Sequence, residues 1–217
     1  MEINQHLMYL LPLSLAINSG IMLFYFLKNV KVIIKCFKDI KKNTWIMLGL
    51  IFFLGCIFRF FLVPHTSYNF GDEGTSLNSA QNLAKDNLFF LCKGYNKGKC
   101  IFKSFEPDPP TQGFVLSILF KIIGGEFYYA TLLMSFLGSL TIILIFLFSY
   151  LLTKNETASL ISSLLLSVNS IHLLLSGTTC LRITGLFFTL CFFITTLIFI
   201  QTKKLEILLL SFSFMTF

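Results

Sequence analysis

Four long apolar runs, residues 7–27, 45–63, 127–152 and 181–200, limit what this chain can fold into more than any motif it carries. Each reaches the roughly 20 residues that a helix rising 1.5 Å per residue needs to cross about 30 Å of hydrocarbon. Their Leu, Ile and Phe side chains cover whole helix circumferences, whereas a helix on a soluble protein shows one apolar stripe. With 12% charged residues against about 25% in soluble domains, the solvent for most of the chain is lipid. A fifth run, 158–176, is more polar at Asn169 and His172, and a sixth begins at Leu205. The expected fold class is therefore all-α: a polytopic transmembrane helical bundle.

The formal charge of +7 does not mark a nucleic-acid partner, because most lysines sit in short segments beside apolar runs. There they act as topology signals, since short cytoplasmic loops collect Lys and Arg. Lys28, Lys31, Lys35, Lys38, Lys41 and Lys42 face a single acid, Asp39, and place segment 28–42 in the cytoplasm. The second run then delivers a polar loop, 64–126, to the extracytoplasmic side. Within it, segment 112–124 has an apolar core of only about 12 residues, roughly 18 Å of helix, interrupted by Lys121. That is too short to cross. If it lies along the outer surface, Lys154, Lys203 and Lys204 fall in the cytoplasm and residues 178–182 outside, as the lysine rule requires.

Two regions follow: an anchor helix with its basic cytoplasmic loop (1–43), and a larger transmembrane region (44–217) that carries the outer loop. The first run lacks a basic leader and a small-residue cleavage site, so it is expected to stay as an anchor. In the outer loop, Asp72 follows Gly71 at a natural helix start, and Leu77, Ala80, Leu83 and Ala84 recur at helical spacing. Juxtamembrane helices in the interface are expected here. Pro109-Pro110 stops the preceding structure and opens the 112–124 helix.

No metal pattern exists among the six cysteines, which include no CxxC and no paired His. Cys92 and Cys100 are close in the outer loop, and two readings stand for them: a small disulfide ring in an oxidising compartment, or two free thiols.

The order of these elements carries a resemblance. An outward span, Gly71-Asp72-Glu73, a surface helix, Asp108-Pro109-Pro110 with the 114–124 helix, and the spans after it through residue 182 resemble the type C glycosyltransferases. The dolichyl-phosphate-mannose protein mannosyltransferase-like and aminoarabinose transferase-like branches are the most similar. Two positions differ from that pattern. Asp108 stands where a basic residue or His is usual, and the Arg usual near Thr131-Leu132 is missing. The chain is shorter than family members, and two readings stand: an amino-terminal portion of such an enzyme, or a shortened, non-catalytic relative; a transporter fragment is the alternative outside the family.

The resemblance implies sugar transfer from a polyprenyl- or dolichyl-phosphate donor to a glycan, lipid or protein acceptor, in the plasma membrane or the endoplasmic reticulum membrane. It makes Asp72 the base that takes the acceptor's proton, with Glu73 beside it. Read from the residues alone, Asp72 is an N-cap and Glu73 a first-turn acid. Arg182 and Arg59, near the outer ends of their spans, are candidates to hold the lipid phosphate, although both read first as cations snorkelling to water. His65 lies just past the second span. Glu106 and Asp108 are candidates to orient the acceptor or hold a divalent cation, or else solvated loop acids. Lys85, Lys93, Lys97, Lys99 and Lys103 make the loop basic, which suits anionic lipid headgroups or simple solvation. His172 and Asn169 form an intramembrane polar pair suited to helix-to-helix hydrogen bonds.

Overall fold

In lipid the backbone has no water to bond, so the apolar runs close their hydrogen bonds internally as helices. The computed structural model describes residues 2–65, 72–88, 90–92, 95–96, 99–100, 103–104 and 110–215. Nine α-helices are found among them: α1 Glu2–Lys35, α2 Lys42–Ile57, α3 Asp72–Asp86, α4 Pro110–Ile123, α5 Phe127–Thr153, α6 Glu156–Val168, α7 Ser170–Ser176, α8 Leu181–Thr202 and α9 Leu205–Met215. A single π turn, Phe58–Leu62, prolongs α2. Four helices are long and apolar enough to cross a membrane, and α6 with α7, bent by 59°, makes a fifth if the pair is one span. The chain is a multi-pass membrane protein.

The 27-residue α5, about 40 Å long, is the central post. It packs against α2, α6 and α8, while α9 lies between α8 and α1. Most of α1 faces outward, with Tyr9, Leu13, Ile17, Phe24 and Leu27 exposed. Exposed apolar faces of this kind are lipid-facing surface. Two contacts fasten α1 to α9: Asn18 Nδ2 donates to the Ser213 carbonyl at 3.0 Å, and Lys28 Nζ lies 2.7 Å from the Glu206 carboxylate. The Lys28 ammonium, donating to that carboxylate, holds the Glu206 carboxyl below its ordinary range.

Helix ends follow local chemistry. Both α5 and α8 stop at a lysine in the left-handed region, Lys154 at φ 53° and Lys203 at φ 56°. Each donates its amide back four residues, to Tyr150 and Phe199, and its side chain suits the negative end of the dipole. The Asn155 side chain then caps α6 by accepting from the Thr157 and Ala158 amides. Proline opens α4 at its first position, and Gly124 at φ 102° closes it with a bond to the Phe120 carbonyl. One boundary differs from expectation: α1 continues through Lys28 and Lys31 to Lys35. Lysine is a good helix former, and its stem lies along apolar surface while the ammonium reaches water.

The two ends of the bundle are unlike. One end gathers Phe37, Ile40, Phe146, Tyr150, Ile198 and Ile207 into a core beneath the turns that carry Lys38, Lys41, Lys154 and Lys203. At the other end α3 and α4 pack together on α5 and α8 through Ala80, Leu116, Phe120, Ala130, Met134 and Ile183. Leu11 and Leu15 of α1 close this platform against Leu83 and Phe114. The basic turns and the platform thus lie at opposite ends, as the lysine rule expects. Reporters fused at Lys38 and Lys203 are expected to read cytoplasm and one at Tyr95 the outside; a Lys203 reporter on the outside would make α4 a span.

Candidate functional site

The platform places the sequence motifs. Asp72 is the first residue of α3, followed by Glu73. The side chains of these two lie outside the described ones, as do Glu106 and Asp108 altogether. Below that start, α3 turns Ala80 and Leu83 inward and leaves Lys85 and Asp86 exposed, which makes it the amphipathic surface helix expected. Side-chain bonds fix it against its neighbours: Gln81 Nε2 donates to the Gly125 carbonyl at 2.7 Å, and Asn82 Nδ2 to the Phe90 carbonyl at 3.0 Å. Lys121 Nζ donates to Asn87 Oδ1 at 2.6 Å. Between α3 and α4 opens a cavity of about 560 Å³ whose lining includes Gln81, Asn82, Lys85, Phe120 and Lys121. Two cations at one mouth make this part of the platform attractive to anions.

Behind the platform, the first turn of α4 is anchored by a buried amide. Gln112 is fully buried, and its Nε2 donates to the carbonyl of Thr179 in the α7–α8 turn. Arg182 is exposed in the first turn of α8. His65 lies edge-on to Tyr128, with Nε2 3.4 Å from the Phe60 carbonyl and a buried Nδ1 that has no partner among the described residues.

The outer-loop cysteines fall on two short antiparallel ladders. Strand β1 (Leu91–Cys92) pairs with β4 (Lys103–Ser104), and β2 (Tyr95–Asn96) with β3 (Lys99–Cys100). Cys92 is opposite Lys103 and Cys100 opposite Tyr95, so the ladders do not set the two cysteines facing each other. Their side chains lie outside the described ones.

Arg59 departs most from expectation. It does not snorkel: the residue is 0% exposed and turned into the bundle from the π turn. Its Nη1 donates to the Gly55 carbonyl at 2.9 Å and to the Ser167 carbonyl at 3.4 Å. Nη2 reaches the Leu166 carbonyl at 3.4 Å and His172 Nδ1 at 2.8 Å. Since a guanidinium only donates, His172 Nδ1 is the acceptor and the ring proton sits on Nε2, 3.1 Å from Thr141 Oγ1. Among the described residues the cluster holds no acid: the cation is solvated by backbone carbonyls of α2 and α6 and by one imidazole.

The helix breaks at Asn169, where the Leu166 carbonyl keeps only the Asn169 amide at 3.4 Å and the Ser167 carbonyl loses the donor that a continuous helix would supply. The Asn169 side chain restarts the helix by accepting from the His172 amide at 2.9 Å. Of the Asn169–His172 pair, His172 makes the contacts between helices, to Arg59 and Thr141, whereas the exposed Asn169 serves as the hinge and cap of α7. Room for the cluster comes from two glycines the sequence reading passed over. A Cβ on Gly138 would stand 2.8 Å from Ser176 Cβ and 3.4 Å from Arg59 Nε, and one on Gly55 would stand 3.0 Å from Arg59 Nη1. A glycine inside an otherwise apolar run was the available signal.

Among the described residues, no group of three His, Cys, Asp or Glu side chains is placed to hold a metal ion. No protein-family model, no curated protein and no solved structure matches the chain.

Proposed function

We propose that this chain is a membrane glycosyltransferase, or part of one, that moves a sugar from a polyprenyl- or dolichyl-phosphate donor to an acceptor on the extracytoplasmic side. The observation that carries the reading is the platform. A surface helix headed by Asp72-Glu73 and a short Pro-started helix pack side by side at the end of the bundle away from the basic turns. A lipid-borne substrate presents its phosphate at that level, where bilayer and water meet. In the reaction the acceptor oxygen attacks the anomeric carbon, and Asp72 takes its proton. The bond from that carbon to the phosphate oxygen breaks, and the lipid phosphate leaves with the electron pair. Among the described side chains, Lys85, Lys121 and Arg182 are cations available near that level to steady the departing charge.

A second reading draws on Arg59. An ionisable residue at bilayer depth beside a broken span is a recurring feature of transporters. One preparation separates the two. Proteoliposomes holding the full protein and a radiolabelled polyprenyl-phosphate sugar are expected to pass label to acceptor. Failure across hexose and pentose donors, with solute uptake in the same vesicles, would replace the enzyme by a transporter.

A further inference from the structure

Helices α6 and α7 are not continuous, and the 59° bend between them needs something to hold it. Segment α7 has only seven residues and cannot be stable by its own hydrogen bonds. Its grip comes from three sides. His172 bonds Arg59 and Thr141 at its start. Ser135 of α5 donates to the Ser176 carbonyl at its end, at 2.9 Å. Gly177 follows, so close to the tail of α2 that a Cβ there would stand 2.4 Å from Val63 Cγ1 and 3.0 Å from the Pro64 carbonyl. Two residues later, the Thr179 carbonyl receives the buried Gln112 that anchors α4. A continuous set of contacts therefore runs from Arg59 through α7 to the first turn of α4.

We infer that Arg59 is a positioning residue: at the broken end of α6 its guanidinium supplies the donor that the Ser167 carbonyl lacks, adds to the single amide on Leu166 and, through His172, holds α7 where it supports the start of α4. The fork geometry suits this task. One planar group reaches the Gly55, Ser167 and Leu166 carbonyls and a ring nitrogen at once, which a lysine ammonium on a flexible stem does poorly. Gly138 gives no side chain to the space that the guanidinium and the imidazole share. The consequence for function rests on the proposed enzyme, because α4 begins at Pro110 of its Pro-Pro element. The structural consequence does not.

Native cysteines supply the reporters. Cys180, 5% exposed, sits directly after the Thr178-Thr179 turn, whereas Cys191 lies about 16 Å deeper along α8. The full protein in membranes is treated with an impermeant maleimide, and the label is mapped by peptide mass spectrometry. Arg59→Gln and His172→Leu are each expected to raise the Cys180 labelling rate at least about tenfold by local opening, with Cys191 unchanged and Arg59→Lys intermediate. His172→Leu leaves the guanidinium in place, so it decides the matter alone if Arg59→Gln does not insert. Unchanged Cys180 labelling in the inserted variants would overturn the inference. So would Cys180 and Cys191 rising together, because that pattern is global loosening. Neither outcome bears on Asp72, whose test is sugar transfer.

Discussion

Asp72→Asn is expected to lower sugar transfer by about 100- to 10,000-fold, the usual contribution of a general base, while the chain still inserts and folds. Asparagine keeps the side-chain volume and remains a good helix cap, so the loss reports missing basicity and not a frayed α3. Glu73→Gln is expected to be milder. Neighbouring residues on a helix point about 100° apart, so only one of the pair faces a substrate squarely, and the family resemblance gives that place to Asp72. The measurement is turnover of a polyprenyl-phosphate sugar by the full-length enzyme, with far-ultraviolet circular dichroism as the folding control. Near-normal turnover in Asp72→Asn would return the residue to the role of a helix cap.

Gly138→Ala is expected to destabilise the bundle by about 1–3 kcal/mol, the common cost of forcing extra volume into a packed interior. The added methyl meets Ser176 Cβ at 2.8 Å, and a Cβ cannot swing aside as the tip of a long side chain does. It also presses on Arg59 Nε at 3.4 Å and on His172 Cε1 at 3.5 Å. Gly138→Leu is expected to cost more, since no neighbouring space receives the branch. Gly185→Ala on α8 is the contrasting variant: nothing lies within 4 Å of its new methyl. That helix position gains about 0.5–1 kcal/mol from the reduced backbone freedom of alanine. Thermal unfolding in detergent compares the three with the parent protein. Equal midpoints for Gly138→Ala and Gly185→Ala would show that the notch at Gly138 is looser than the distances imply.

The parts of the fold legible beforehand were those that depend on neighbouring residues alone. Lysines beside apolar runs marked the ends, and the basic turns do gather at one end of the bundle, opposite α3 and α4. The shortness of segment 112–124 separated α4 from the spans, and Pro110 and Gly124 bound it closely. Helical spacing at Leu77, Ala80, Leu83 and Ala84 anticipated α3, whose Ala80 and Leu83 are buried. Arg59 was not legible. Snorkelling and inward burial demand the same residue at the same height on a span, and the choice depends on what the other helices offer at that level.

By itself, then, the sequence determined that this is a multi-pass helical membrane protein and where its apolar segments lie, but neither the continuation of α1 to Lys35 nor the break at Asn169. It also set which end carries the lysines, because length, hydropathy and local capping act within a few residues. Tertiary structure decided the interior. Arg59 meets carbonyls 107 and 108 residues away, on a helix broken at Asn169, and an imidazole 113 residues away, and Gly138 leaves room for the guanidinium and the imidazole. A buried cation is tolerated only where several acceptors converge on it. That convergence is a property of packed helices, which no stretch of the chain carries alone.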